Sequence, residues 1–560
     1  MTMISERIKG LRSMCSFRNL RKNWFFPVAA AAFFCLNFKA SKETAAAIAI
    51  AFLASIAVAA CSGPVLDYLK ENRRLTAFSL ISSVGICIGV LDSFTFQCLL
   101  SERFKDLLNR KSYYLTLFHI GRIACCAASI LFVCFFLILF WKRMLAFVQR
   151  NRELLSLTKT EIAVYSGLLL LSCIYVIYAY SNSVAFYDTR KYGFIYNTIY
   201  TSDSAAHFQP SAYLWPAHEH NDLRQPLFAV FAAPFMGIPY LLGCFFSTPV
   251  RAMIINCAQV AMLLAANLMV VKSMRIKPAY RICFMILSWC MYSNLLFSVM
   301  IEQYIVAYFW LAVAVYAVCC GDRAEDIRML AAGGTMLPSF AMLLLNYQKS
   351  IRAWFRSAFK VMLEFVFLLA VFCKFDVILT VFSTVKSLTG FTGKSVSFAD
   401  RLYQFSDFIR SCFTAPEAGA EEAMHLNVQL TMQNHAVWSA KPVTGICIAG
   451  IVILCVALLS TVMHRKDKAC AVAGFWMLLS IAVLVIAGWG TAENGLILYT
   501  LYFGWAYLVL LFRLAVTVCE KLKAGFAVPV ISAIACLIML VYNIPAVQQL
   551  FQFAFRYYPV

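Results

Sequence analysis

The residues of this chain most able to do chemistry are concentrated between positions 181 and 227. There an otherwise apolar sequence turns polar and carries Asp188, Asp203, His207, His218, Glu219, His220, Asp222 and Arg224. Three of the chain's seven histidines lie in this stretch. Titratable groups crowded beside a membrane are where shifted protonation, and with it acid–base chemistry, tends to be found. Asp203 is the leading candidate for a general base. In Tyr200-Thr201-Ser202-Asp203-Ser204-Ala205-Ala206-His207-Phe208, small residues flank the acid and aromatics bound it, which suits a carboxylate at the lip of a groove. Such a carboxylate accepts the proton of an attacking hydroxyl and makes its oxygen a better nucleophile. The competing role is structural: Ser202 or Asp203 would cap a short helix.

A second element lies in Asn221-Asp222-Leu223-Arg224-Gln225-Pro226-Leu227-Phe228. Arg224 offers a planar fork for phosphate, with Asp222 beside it, and Pro226 fixes the chain where it re-enters the apolar sequence. The plainer role for Arg224 is to anchor a helix end at the interface. His218 and His220 would reach one phosphate or one metal together only in an extended segment. Two further polar sites carry an acid at the edge of an apolar run: Glu302 within residues 298–304 and Glu493 within 488–494. Asp203, Glu302 and Glu493 are expected to converge on one outward cavity, Glu302 and Glu493 binding substrate together with Arg224, His218, His220 and Asp222. No H-E-x-x-H, G-x-S-x-G or P-loop pattern accompanies them. No metal site and no cofactor is called for; a divalent ion is compatible with these residues without being required.

These side chains must be positioned by membrane helices. The sequence is 62% hydrophobic and 13% charged, with continuous apolar runs near the roughly 20 residues that cross a bilayer as a helix. The expected fold is all-α, a polytopic integral membrane helical bundle with about 12–15 apolar segments. The formal charge of +21 sits in short basic clusters between apolar runs, where membrane topology accounts for it and nucleic-acid binding need not be invoked. The 22 cysteines lie nearly all within apolar runs and show no C-x-x-C spacing, so a disulfide framework or zinc site is not expected. Cys412, placed in a polar loop, is a candidate reactive thiol. The basic N-terminus leads into further spans rather than a cleavable signal.

The chain divides into N-terminal spans (1–180), an outward catalytic-type loop (181–227), a membrane core (228–385), a second outward loop (386–442) and C-terminal spans (443–560). The runs 228–245, with Pro234, Gly237, Pro239 and Gly243, and 331–345, with Gly333, Gly334 and Pro338, carry helix breakers and are expected to be broken or re-entrant. The basic links 272–281, 349–360, 464–468 and 521–523 then fall on the cytoplasmic side. Residues 294–303, 387–440, 488–494 and the tail after Pro545 face outward. Within the second loop, the pattern around Asp400 to Ile409 suggests a short amphipathic helix.

An outward loop bearing an acid, leading through Arg224-Gln225-Pro226-Leu227-Phe228 into a proline-broken helix, resembles the polytopic GT-C glycosyltransferase superfamily, which includes protein O-mannosyltransferases and aminoarabinose transferases. The resemblance implies that Asp203 is the base. Gln225-Pro226-Leu227 stands where the family has a His-Pro-Leu-type motif, Glu302 resembles its later outward acid, and Ala331-Ala332-Gly333-Gly334 before Pro338 resembles its glycine-rich broken segment. The likeness covers residues 181–345. This sequence departs from the family in having five apolar runs, instead of the usual one span, before the loop, and Gln225 in place of the titratable ring. The family likeness implies a multi-pass enzyme, expected in a bacterial cytoplasmic membrane. It would transfer a sugar from a polyprenyl-phosphate carrier, its lipid-linked donor, to an acceptor on the non-cytoplasmic face. The alternatives are a transporter or flippase for a lipid-linked or anionic solute, and a surface-glycan polymerase or ligase. Acids kept in outer loops favour the enzyme, whereas a carrier needs some at mid-membrane.

Overall fold

The computed structural model describes residues 17–37, 42–61, 65–91, 112–192, 198–200, 202, 204, 208, 214, 225–320, 326–345, 350–372, 396–423, 427–432, 446–491 and 496–560. It is an all-α bundle with a single two-stranded sheet among these residues, Ala418–Ala423 paired antiparallel with Asn427–Met432. Seven described helices are long and apolar enough to cross a membrane, or up to nine if each of two sharply bent pairs counts as one span. The chain is a multi-pass integral membrane protein.

The core is built around Gln303–Cys320, a helix apolar on every face with 94% of its residues buried. Thr248–Ser273 packs along it, and Lys159–Asn182, Lys468–Ser480 and Thr500–Lys521 enclose the pair. The N-terminal helices Phe25–Asn37, Arg73–Leu91 and Ser112–Arg150 form a second layer joined to the core by Phe228–Gly243. That junction needs glycine. A Cβ on Gly85 would lie 2.1 Å from the Gly237 carbonyl oxygen, so two backbones meet where side chains would hold them apart.

One end of the bundle is fastened by charge. Lys159–Asn182 opens with a capping box in which Thr158 and Glu161 satisfy each other's backbone N–H groups. The Glu161 carboxylate is fully buried and also takes Arg281 Nε at 2.5 Å and Lys272 Nζ at 3.4 Å. Lys272 donates as well to the Ser156 carbonyl at 2.6 Å. One carboxylate thus joins the start of one helix to the end of Thr248–Ser273 and the start of Pro278–Cys290. Lys277–Glu520 and Arg513–Asp467 pairs, at 3.0 and 2.7 Å, bring the links 464–468 and 521–523 to the same end.

The structure alters some of the expected spans and agrees with others. The apolar run 282–297 does not cross as one helix but bends by 65° between Pro278–Cys290 and Tyr292–Ser298. The run 331–345 is broken as its glycines and proline lead one to expect: Asp326–Thr335 ends and the 3-10 turn Leu337–Ala341 follows. The basic link 349–360 is itself helical, within Ile351–Val371. The last apolar run, expected to end near Tyr542, is longer: Ala527–Tyr557 continues as helix through Pro545, which a membrane helix tolerates when neighbours satisfy the freed carbonyl. Its far end is tied down by Ser183 Oγ, which donates to the Ala554 and Tyr558 carbonyls at 2.9 and 2.6 Å.

Removing one member of a buried ion cluster leaves its partners charged and desolvated, at a cost of about 3 kcal/mol. Glu161→Gln is therefore expected to lower the thermal unfolding temperature of the purified protein clearly, and Lys277→Gln, at an exposed pair, to leave it unchanged. Differential scanning fluorimetry compares the two. Equal melting of Glu161→Gln and the parent would remove the cluster from the account of stability.

Candidate functional site

The polar stretch begins at the end opposite the Glu161 cluster. Val184 N–H donates to the Tyr558 carbonyl at 3.0 Å. Tyr200 N–H donates to Leu430 O at 2.9 Å and Leu430 N–H to Thr198 O at 3.0 Å, so the stretch and the Ala418–Met432 hairpin share backbone bonds. Tyr558 Oη and Gln549 Nε2 hold the same hairpin through the carbonyls of Val428 and Ala418. Both long polar segments of the chain therefore meet at one end of the bundle.

Tyr200 takes a left-handed backbone (φ 49°), a conformation that costs an aromatic residue energy and persists only where its surroundings over-determine it. Here they do: its N–H is bound to the hairpin, and its hydroxyl lies 3.1 Å from that of Tyr292. Burial raises the Tyr200 hydroxyl to about 12, which keeps it protonated. Ser202 and Ser204 come next, both buried, and Phe208 N–H donates to Ser204 O at 2.9 Å. Asp203 itself lies outside the described residues, as do His207, His218, His220, Asp222, Arg224 and Glu493.

The next described residues of the stretch, Leu214 and Gln225–Leu227, are buried within the bundle. Leu214 lines an apolar cavity of about 280 Å³ together with Ala229, Val230, Ala233 and phenylalanines of the N-terminal helices. Gln225 is buried and donates from Nε2 to the Tyr502 hydroxyl at 2.9 Å. Leu227 N–H donates to Gly334 O at 2.9 Å, and a Cβ on Gly334 would come within 2.9 Å of the Leu227 Cβ. The segments 225–227 and 331–334 are thus in direct contact, and only glycine at 334 permits it. Phe228–Gly243 starts from this interior point, with Phe231 O bound by Trp310 Nε1 at 3.1 Å, and returns to pack Gly243 against Arg251. Its 16 residues span about 24 Å, less than a bilayer core of about 30 Å.

Glu302, expected in an outward polar segment at the edge of an apolar run, lies in the interior of the bundle. It is fully buried, and its backbone N–H and carbonyl are both engaged by the amide of Gln259 at 3.4 and 3.1 Å. Gln259 lies near the midpoint of the 26-residue helix Thr248–Ser273. The physical reason is the bend at Met291: because the preceding helix stops short and turns, the link 299–302 is made within the bundle rather than outside it.

Beside Glu302 the side chains form an aromatic group. The Tyr304 ring centroid lies 5.2 Å from Tyr502 and 6.4 Å from Tyr499. Trp489 Nε1 donates to the Tyr499 hydroxyl at 2.8 Å. Gly490, at φ 74°, lies so close that a Cβ would meet the Tyr499 ring at 2.6 Å. Residues from all three polar segments, 225, 302–304 and 488–491, therefore gather in one region. Gln225 Oε1 and Gln303 Oε1 are buried there with no hydrogen-bond partner among the described residues, and an acceptor left so costs about 1–3 kcal/mol. Such a region suits a polar ligand group that donates to them.

Arg251 was not among the residues expected from the sequence. Its guanidinium sits 5.5 Å from the Phe208 ring centroid and 6.0 Å from that of Tyr240, and no acid among the described residues pairs with it. The available signal was its isolation, since it is the one cation between Arg224 and Lys272. Cys412 needs correcting the other way. It lies in the helix Phe398–Phe413, fully buried, where burial pushes its thiol well above the usual range. It is a packing residue against Gly504, not a reactive thiol. No cluster of His, Cys, Asp and Glu suited to a metal occurs among the described residues. No family model matches the chain, and no curated protein or solved structure matches it.

The meeting of both polar segments at one end gives a topological expectation. Cysteines introduced at the exposed positions Asn182 and Glu417, in a background without native thiols, should react with an impermeant maleimide from the same side of the membrane. A cysteine at Lys466, beyond the opposite end, should react only from the other side. Labelling of positions 182 and 417 from different sides would contradict the arrangement.

Proposed function

We propose that the protein is an integral membrane glycosyltransferase that moves a sugar from a polyprenyl-phosphate carrier to an acceptor on the non-cytoplasmic face of a cell-envelope membrane. One observation carries this reading. The same stretch, 198–227, contributes Gln225 to a buried polar region and Leu214 to a half-open apolar cavity, the two environments that a lipid-linked sugar requires at once. A groove of this kind lodges the prenyl tail while its polar end meets the sugar and phosphate.

In the proposed reaction the acceptor hydroxyl gives its proton to the Asp203 carboxylate as its oxygen attacks the anomeric carbon. The bond from that carbon to the phosphate oxygen breaks, and the prenyl phosphate leaves with the electron pair. Cations are needed where that charge develops. Arg224, His218 and His220 are assigned this role from the sequence. Arg251 joins them, since a guanidinium framed by Phe208 and Tyr240, with no acid beside it among the described residues, is poised for an anion. Asp222, Glu302 and Glu493 would hold sugar hydroxyls, and no metal is required.

The placement of Glu302 favours a second reading, a carrier for the same lipid-linked solute. A fully buried acid near the midpoint of a spanning helix is what a transport pathway uses. Reconstituted vesicles separate the two. The transferase reading expects release of prenyl phosphate from a labelled donor, lost by about 10² to 10⁴ in Asp203→Asn, because Asn keeps the shape of Asp but cannot take the proton. Asp188→Asn, at a span end, should keep the parent rate. Movement of intact donor across the vesicle membrane, unaffected by Asp203→Asn and abolished by Glu302→Gln, would replace the transferase with a carrier.

A further inference from the structure

At the end of the bundle that holds the Glu161 cluster, a cleft of about 770 Å³ opens between two basic elements. One wall is Lys70, Glu71, Asn72, Arg73 and Arg74; the other is the last part of Ser112–Arg150, with Lys142 and Gln149. The four cations face a single carboxylate, and none of their charged groups forms an ion pair or hydrogen bond with a described residue. The one carboxylate, Glu71, leaves the cleft with a net positive charge. A bias toward basic residues on the cytoplasmic side explains why each wall is basic. It does not explain why the walls are brought face to face across one cleft.

The local architecture shows how that is done. Val65–Glu71 is turned 70° from the preceding helix, so it runs across the bundle end instead of along it. Asn72 caps the turn by donating to Tyr68 O at 2.7 Å, and Thr76 Oγ1 donates to Leu69 O at 2.8 Å, which fixes where Arg73 and Arg74 emerge. Lys142 crosses from the other wall to stand 4.3 Å above the Tyr68 ring. Apolar side chains flank the cations: Leu66 and Leu145 are about half exposed, at 51% and 48%. A crossing helix with exposed leucines and a tyrosine beneath a cationic rim has the chemistry of a membrane interface, apolar toward acyl chains and basic toward headgroups.

We infer that this cleft binds the phosphate headgroup of an anionic phospholipid from the leaflet at the basic end. Basic pockets between spanning helices on the cytoplasmic side recognise such headgroups, each cation near the surface adding about fivefold in affinity. A free phosphate shares the charge, but it would leave the exposed leucines without a partner. The site stands apart from the polar stretch and does not rest on the transferase reading.

The test uses the full chain in neutral detergent, with thermal unfolding measured as lipid is added. Dioleoylphosphatidylglycerol should stabilise the protein and dioleoylphosphatidylcholine should not. The concentration for half-maximal stabilisation should rise roughly 25-fold in Arg73→Gln/Arg74→Gln and about fivefold in Lys142→Gln. Arg465→Gln/Lys466→Gln, which removes two charges at the same end but outside the cleft, should behave as the parent. If the Arg73/Arg74 variant melts early even without lipid, Lys142→Gln, on the opposite wall, decides. Equal stabilisation by phosphatidylcholine, an equal loss in the 465/466 variant, or full stabilisation by inorganic phosphate at the same concentration would each overturn the assignment.

Discussion

A backbone that leaves helical geometry inside an apolar bundle must still satisfy its N–H and C=O groups, and this requirement governs the interior of the protein. Water cannot do it at that depth. Buried side-chain amides do. Asn256 donates to Ser298 O at 2.8 Å, and Gln259 closes the link before Gln303 by engaging both backbone groups of Glu302. Asn543 serves three groups at once, donating to the carbonyls of Cys290 and Phe413 and accepting from Ala415 N–H, each at 2.8–2.9 Å. Asn267 and Asn294 bond to each other at 2.9 Å, and Tyr308 completes the set. Because these amides close the breaks, polar chain can enter the bundle instead of skirting it. All are fully or nearly fully buried, so losing Asn256, Gln259 or Asn543 would strand a backbone group rather than merely remove a contact.

That interior polar wiring lets distant segments share one region. The stretch that starts on the Tyr558 carbonyl ends on the Gly334 carbonyl, and Phe228–Gly243 climbs back from there as a helix too short to span the bilayer core. The break at Met291 turns Tyr292–Ser298 aside, and Gln303–Cys320 then begins mid-bundle, with Glu302 and Tyr304 beside Tyr499 and Tyr502. Close approach depends on glycine at a few points, Gly85 against Gly237 and Gly334 against Leu227. At these points an added methyl would clash with backbone or with the first carbon of a side chain, which has little room to yield.

Much of this was legible from residue pattern because hydrophobic length is a strong signal. The apolar runs mark the membrane helices, the proline- and glycine-bearing runs 228–245 and 331–345 mark the short and broken ones, and the Asp400–Ile409 pattern marks the amphipathic helix that becomes Phe398–Phe413. The bend at Met291 was hidden, since residues 282–297 are mostly apolar and hold no glycine or proline; the Cys290 carbonyl freed there is taken by the distant Asn543, a tertiary contact. The same cause misplaced Glu302, whose neighbours in sequence look like a boundary while its neighbours in space are Gln259 and the core. Gln225 reads as a weakened version of a histidine motif, yet its bond to Tyr502 gives it a role of its own. The hairpin was missed because its strands are short and set in a polar loop, although Val428, Leu430 and Met432 alternate with polar residues.

The central claim is that the polar region and the apolar cavity form one site for a lipid-linked substrate. Photo-crosslinking with a polyprenyl phosphate that carries a diazirine in its tail, mapped by mass spectrometry, tests it most directly. The account predicts adducts concentrated on Leu214 and on Ala229, Val230 and Ala233, competed away by unlabelled polyprenyl phosphate. Adducts spread over the outward apolar faces, such as Leu170 and Ile174 of Lys159–Asn182, with no competition and none in the cavity, would contradict it.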